Sequence, residues 1–238
     1  MEFVDILSIA AHPDDIELTC AGTLIKMVDQ GYTVGILDLT KGEMGTRGTP
    51  EIRAKEAEAA RAVIGARFRE GLNLGDSRLT ASIENRLAVA ESIRAARPRT
   101  VILPYWEGRH PDHYTAATLG YEACYAAGLK QLPISGEPYR PKKILYASMY
   151  HDVRPSFLVD ISPYFDRKLA AIRCFTSQFA GDMRDIAELY PAWGQLIDRI
   201  TTQCKYFGHL MGVAYAEPFA VKEVMAVDDI VTMPVVSI

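Results

Sequence analysis

Ile6-Leu7-Ser8-Ile9-Ala10-Ala11-His12-Pro13-Asp14-Asp15 is the stretch that decides the fold. Its first six residues read as a short buried strand, and His12-Pro13 ends it, because proline's ring disfavours continuation of the preceding backbone. From Ile16 to Gln30 the apolar residues fall at helical spacing, with Gly31 as a natural stop. A second strand is expected over Thr33–Leu39, a helix over Glu51–Ile64 with Thr49 as cap and Pro50 in its first turn, and a weaker strand over Phe68–Leu74. Ile83–Ala96 reads as a helix, Thr100–Pro104 as a strand, His113–Ala127 as a helix and Lys143–Met149 as a strand. Strands alternating with helices imply an α/β, Rossmann-like, doubly wound and mostly parallel sheet with helices on both faces. The rhythm fails near residue 150. The expectation is therefore a single domain over 1–238, with a core over 1–150 and a smaller C-terminal cap over 151–238 that holds a strand near Phe157–Asp160 and two or three helices.

Composition bounds the function without naming it. The 238 residues are 49% hydrophobic and 24% charged, which excludes disorder, collagen-like repeats and a disulfide scaffold. Lys plus Arg number 26 against 30 Asp plus Glu, a net charge of -4, so no basic nucleic-acid surface or polybasic membrane anchor is expected. Cys20, Cys124, Cys174 and Cys204 are too scattered for a CxxC clip and read as packing residues in a reducing compartment. No stretch approaches the roughly 18 apolar residues of a membrane span, and the expected location is cytoplasmic.

Two polar clusters carry the chemistry. Ala11-His12-Pro13-Asp14-Asp15 follows the first strand, and Arg109-His110-Pro111-Asp112-His113 follows the strand at Thr100–Pro104. Open α/β sheets bind ligands beyond the carboxyl ends of their strands. In a 3-2-1-4-5 order those two strands are neighbours, and clusters close to one hundred residues apart face each other. Three-ligand sets of histidine and carboxylate with an open position typify catalytic zinc. His12, Asp15 and His113 make one such set, leaving Asp14, His110 and Asp112 for proton transfer or ligand orientation. Spacing alone does not separate Asp14 from Asp15. The bland reading of either cluster alone is a helix cap and a His-Pro turn.

Those two clusters resemble the signature of the LmbE/PIG-L-like zinc-dependent N-acetylglucosamine deacetylases. Lys41-Gly42-Glu43, Thr49-Pro50-Glu51-Ile52-Arg53, Asn73-Leu74, Ser177-Gln178-Phe179 and Tyr215-Ala216-Glu217 resemble its bacillithiol-biosynthesis branch. The resemblance implies hydrolysis of N-acetylglucosaminyl malate to glucosaminyl malate and acetate. It implies Zn2+ on His12, Asp15 and His113, with Fe2+ able to take its place. It makes Asp14 the general base, His110 an acid or oxyanion stabiliser, Asp112 the carboxylate that orients His110, and Arg53 a sugar contact. On that basis Asp112 is expected to raise the pKa of His110. The resemblance also implies a homo-oligomer, a hexamer or trimer.

Arginine suits the two carboxylates of a malate aglycone, and Arg47, Arg53 and Arg109 are the candidates. The segment from Gly42 to Thr49 has the glycine content of a mobile binding loop, without the order of a phosphate loop. Tyr190 and Trp193 read first as core residues, His151 and His209 as structural or surface residues, and Cys20 as packing near the metal. Leu196 stands where some relatives place a tyrosine. Rival readings keep the enzyme class with another substrate (an inositol glycoside, diacetylchitobiose, an antibiotic precursor, a thiol conjugate), replace it with non-haem iron chemistry, or make the chain a non-catalytic sugar-binding module.

Overall fold

The computed structural model describes residues 2–148, 153–179 and 193–233. In chain order its elements are β1 (Ile6–Ala10), α1 (Asp15–Thr19), α2 (Ala21–Asp29), β2 (Val34–Asp38), α3 (Pro50–Ile64), β3 (Phe68–Gly71), α4 (Ile83–Ala96), β4 (Thr100–Pro104) and α5 (Pro111–Ala127). There follow β5 (Lys143–Ala147), β6 (Phe157–Asp160), a 3-10 turn (Ser162–Tyr164), α6 (Phe165–Arg173), α7 (Thr176–Phe179), α8 (Trp193–Met211) and β7 (Ala216–Ala220). His151 and Tyr190 lie outside the described residues.

The strands form one sheet in the order β3-β2-β1-β4-β5-β7-β6. The first five are parallel, as expected, and Ser8 of β1 lies between Ile36 of β2 and Ile102 of β4. Alternation along the strands splits the core in two. Leu7, Ile9, Leu37, Val101 and Leu103 pack against α4 and α5. Ile6, Ala10, Ile36 and Ile102 pack against α1, α2, α3 and α6. A third buried cluster joins Leu196, Ile200 and Cys204 of α8 to Leu169 and Ile172 of α6. Among the described residues no helix is long and apolar enough to cross a membrane.

Two features depart from the sequence expectation, and the first is explained by one buried interaction. The helix expected over Ile16–Gln30 is two helices that meet at Cys20. Between them the ladder is broken by a buried ion pair, Lys168 on α6 with Glu217 on β7, 2.7 Å apart and inaccessible to solvent. The Glu217 carboxylate accepts the amides of Gly22 and Thr23 at 3.0 and 2.7 Å. Lys168 Nζ donates to the carbonyls of Glu17 and Leu18 at 3.1 and 3.0 Å. Of these, the Gly22 amide and the Leu18 carbonyl would pair with each other in an unbroken helix. Gly22 is required there, since a Cβ would lie 3.0 Å from Glu217 Oε1 and 2.8 Å from Ile161 Cδ1. Burial alone would depress the Lys168 ammonium, and the Glu217 charge outweighs it, so its pKa is raised.

The second departure is β7, which the sequence disguises with Pro218. It runs antiparallel between β5 and β6. β5 pairs only with Phe219 and Ala220, so the missing amide of Pro218 falls beyond that pairing. Residues past 150 thus extend the sheet as well as packing α6, α7 and α8 beside it.

Removing one partner of a buried pair strands a charge, at a cost of about 3–5 kcal/mol. Lys168→Met should therefore lower the unfolding free energy by about that amount in urea denaturation. Replacing Glu217 with Leu in the same chain should not restore it, because two buried amides lose their acceptor at about 1–3 kcal/mol each. Stability recovered in the double variant would show that the pair does not hold the α1–α2 junction.

Candidate metal centre and catalytic pocket

Parallel pairing of β1 with β4 brings the two clusters together. The rings of His12 and His110 lie 4.8 Å apart, those of His110 and His113 4.9 Å, and those of His12 and His113 5.4 Å. Each cluster ends in the first turn of a helix. His110 caps α5, its Nδ1 accepting the Asp112 amide at 3.2 Å. Asp14 precedes α1 with φ 115°, in the left-handed region that a non-glycine residue enters only under constraint, costing about 1–3 kcal/mol.

The Asp15 carboxylate bridges two histidines, with Oδ2 3.5 Å from His12 Nδ1 and Oδ1 3.1 Å from His113 Nε2. The opposite nitrogen of His12 is committed elsewhere. His12 Nε2 lies 3.1 Å from Asp76 Oδ1 and 3.1 Å from Asp112 Oδ2. With a proton on Nε2 shared between those carboxylates, Nδ1 keeps a lone pair directed toward Asp15 and His113. Ring nitrogens of His12, His110 and His113 also lie within 4.8 Å of one another, as do ligand atoms of His12, Asp76 and Asp112.

The electrostatics favour a cation. Burial alone would depress the His12 imidazolium, but Asp15 and Asp76 outweigh it and push the pKa up to about 11. His113 is likewise raised, the Asp15 charge overcoming burial. Burial would raise the Asp15 carboxyl, yet His113 and His12 hold it well below the usual carboxylate range. Four carboxylates (Asp14, Asp15, Asp76, Asp112) thus surround a site that draws protons onto its histidines. Two histidines and a carboxylate, oriented by two further carboxylates, fit a divalent metal such as zinc.

Asp14 stands beside this set. Burial pushes its carboxyl up to about 7, against the pull of the Arg53 guanidinium. Arg53 Nη2 donates to Asp14 Oδ2 at 3.0 Å and to the Pro13 carbonyl, and Nη1 donates to the Gly42 carbonyl at 3.0 Å. Gly42 has φ 65°, and a Cβ there would lie 1.9 Å from Arg53 Nη1. Arg53 is buried, its charge is directed at Asp14 and the backbone, and it lines the cavity beside them.

The pairing expected between Asp112 and His110 is corrected by the geometry. The Asp112 carboxylate lies on His12 and accepts the Ser77 amide at 2.7 Å, and only its backbone amide meets His110. His110 is lowered rather than raised, chiefly by burial and then by the neighbouring histidines, with Asp112 a smaller opposing influence. An acceptor role for Nδ1 leaves the proton of the neutral ring on Nε2, a hydrogen-bond donor.

The site opens into a cavity of about 770 Å³. Arg47 and Arg109 line it, as expected for substrate contacts, and so does Arg199 of α8, which the sequence reading did not single out. Leu196 lines the same cavity and is buried. Cys20 is buried against Ser8 at 3.7 Å, its thiol pushed up to about 12 by burial, so it is inert packing beside the pocket. His209 is exposed in the last turn of α8. Asp76 was also missed. Its signal is a Gly-Asp-Ser turn at the carboxyl edge of the sheet, where Asn73, Gly75 and Ser77 all have positive φ.

The model of the PIG-L family, described as GlcNAc-PI de-N-acetylase, matches residues 7–124. A diacetylchitobiose deacetylase of Thermococcus kodakarensis is 33% identical, over 89% of this chain and 80% of its own. A 1D-myo-inositol 2-acetamido-2-deoxy-alpha-D-glucopyranoside deacetylase of Saccharopolyspora erythraea is 28% identical, over 74% and 84%. A solved structure of a conserved Thermus thermophilus protein superposes with a TM-score of 0.86 at 39% identity, covering 95% of this chain and 98% of that one. The family match spans both polar clusters and the strands β1 to β4, and the chain belongs to the PIG-L family of hydrolytic deacetylases.

Proposed function

We propose that the protein is a zinc-dependent N-deacetylase of N-acetylglucosamine conjugates, and that N-acetylglucosaminyl malate, in bacillithiol biosynthesis, is its substrate. The observation that carries the reaction class is Asp15 bridging His12 and His113 with a buried, high-pKa Asp14 alongside. His12, Asp15 and His113 hold the zinc, with Fe2+ able to replace it. Zinc supplies Lewis acidity toward an amide carbonyl and toward water.

The chain's own residues do the rest. Asp14, held by Arg53, accepts a proton from the attacking water, for which a carboxyl near pH 7 is well matched. The neutral His110 donates from Nε2 to the developing oxyanion. Asp76 and Asp112 hold His12 in the tautomer that ligates. The proton on Asp14 then passes to the departing amine, leaving acetate and the free amino sugar.

An anionic aglycone is supported by Arg47, Arg109 and Arg199 around the cavity, two of them exposed at its mouth. Relatives named for diacetylchitobiose and an inositol glycoside keep neutral aglycones as the alternative. Gln178, Phe179, Gln195, Leu196 and Arg199 line the cavity, which supports 151–238 as a cap over a core of 1–150. The proposal includes a cytoplasmic homo-oligomer, supported by four free cysteines and by the exposed Val224, Ile230 and Val231.

Acetate release should be measured on the malate glycoside, the inositol glycoside and diacetylchitobiose. The malate glycoside should give the highest kcat/KM, and a clear preference for either neutral substrate would overturn the aglycone assignment. Arg109→Ala with Arg199→Ala should raise KM for the malate glycoside about tenfold or more while leaving KM for diacetylchitobiose nearly unchanged. Asp14→Asn should lose about 100-fold to 10,000-fold in kcat with zinc content intact by metal analysis. Activity retained in that variant would remove Asp14 from the base role.

A further inference from the structure

Ser177-Gln178-Phe179, the stretch of α7 to which the reaction assigns no role, reaches the pocket from the C-terminal part of the chain. Gln178 and Phe179 line the cavity, and Gln178 also grips the segment that carries Arg47. Its Nε2 donates to the Arg47 carbonyl at 2.8 Å. A carbonyl can only accept, so the amide NH2 of Gln178, rather than its oxygen, faces Arg47. The second N–H of that group donates to Ser177 Oγ at 3.0 Å. The Ser177 hydroxyl donates in turn to Glu56 Oε2 at 2.7 Å. Glu56 Oε1 accepts the Ser177 amide at 2.6 Å and the Thr176 hydroxyl at 3.0 Å, and Glu56 itself is buried on α3. Gly48 permits the close approach, with φ 74° and no Cβ where one would lie 2.7 Å from Ser177 Oγ.

We infer that Gln178 is a positioning residue for Arg47, fixing through the Arg47 carbonyl where that side chain meets the aglycone. The inference rests on the proposed contact between Arg47 and an anionic aglycone. Arg47 lies two residues before Thr49, which caps α3 by accepting the Ile52 amide at 3.3 Å. The cap fixes one end of this short connection, and Gln178 fixes the direction in which it leaves. With the carbonyl released, Arg47 would sample other positions, and binding would bear the cost of ordering it. Helix α3 is the common base. Arg53 and Glu56 are three residues apart and so share one face of it, Arg53 holding Asp14 and Glu56 holding the α7 turn. The proposed base and the aglycone arginine are thereby set in register against a single helix.

Gln178→Met keeps the length of the side chain, adds no charge and removes both donors. Its KM for the malate glycoside should rise about three- to tenfold, the worth of one such hydrogen bond. Its kcat and zinc content should hold, and so should KM for diacetylchitobiose, which offers Arg47 no carboxylate. Hydrogen exchange of the peptide covering 42–50 should quicken about three- to tenfold as well. Combining the substitution with Arg47→Ala separates positioning from direct contact with substrate. If Gln178 acts through Arg47, the double variant should have the KM of Arg47→Ala alone. A further rise in the double variant, a wild-type KM in Gln178→Met, or exchange over 42–50 as slow as in the wild type would overturn the inference. Arg47→Ala with the wild-type KM, or a protein that does not turn over the malate glycoside, would instead overturn the aglycone contact of Arg47, and the inference with it, whatever the exchange shows.

Discussion

Strand β1 sits between β2 and β4, and its parallel pairing with β4 is the constraint on which the site depends. Parallel strands end at the same edge of a sheet, so the residues that follow each must meet there. His12 leaves β1 and His110 leaves β4, and their rings close to 4.8 Å across a sequence gap that no local interaction spans. The two helix starts that follow, at α1 and α5, turn the next residues back toward the same point. A one-strand change in order would separate the histidines by the width of a strand, about 4.8 Å, and leave two unrelated turns.

The site that results is built from more negative charge than it can hold alone. Asp14, Asp15, Asp76 and Asp112 converge on two histidines, and the Arg53 guanidinium donates to Asp14. The molecule manages this imbalance by layering. Asp15 faces the histidine nitrogens that point inward, Asp76 and Asp112 face the nitrogen that points away, and Arg53 tempers Asp14 alone. Behind them, Lys168 and Glu217 lock the α1–α2 junction, and Arg69 joins Asp38 at 2.6 Å to Glu17 at 2.7 Å. Buried ion pairs therefore anchor α1, the helix that follows Asp14, through the Glu17 side chain and the Glu17 and Leu18 carbonyls.

Much of this was legible in the sequence. Alternating strands and helices gave the parallel α/β class, because period-two and period-3.6 patterns report local burial, and the common 3-2-1-4-5 order supposed for it is that of the first five strands. The two clusters were visible because histidine and aspartate recur at strand ends. What stayed hidden depends on contacts between a side chain and a distant backbone. The break at Cys20 comes from Glu217 taking two amides some 195 residues away, and no local pattern marks it. β7 was obscured by Pro218, which is tolerated only because of where the pairing with β5 ends. The partner of Asp112 was misjudged because the resemblance implied His110, whereas the start of α5 turns the carboxylate toward His12. Asp76 and Arg199 sit on a turn and a helix with unremarkable composition, and only the fold delivers them to the cavity.

The central claim is that the cluster at the β1–β4 edge is a catalytic metal centre. Its most direct test is to strip the protein with a chelator and titrate zinc back while following acetate release from an N-acetylglucosamine glycoside. Activity should be absent in the stripped protein, rise linearly and break at one zinc per chain. Undiminished acetate release from protein shown by metal analysis to be free of divalent ions would contradict it.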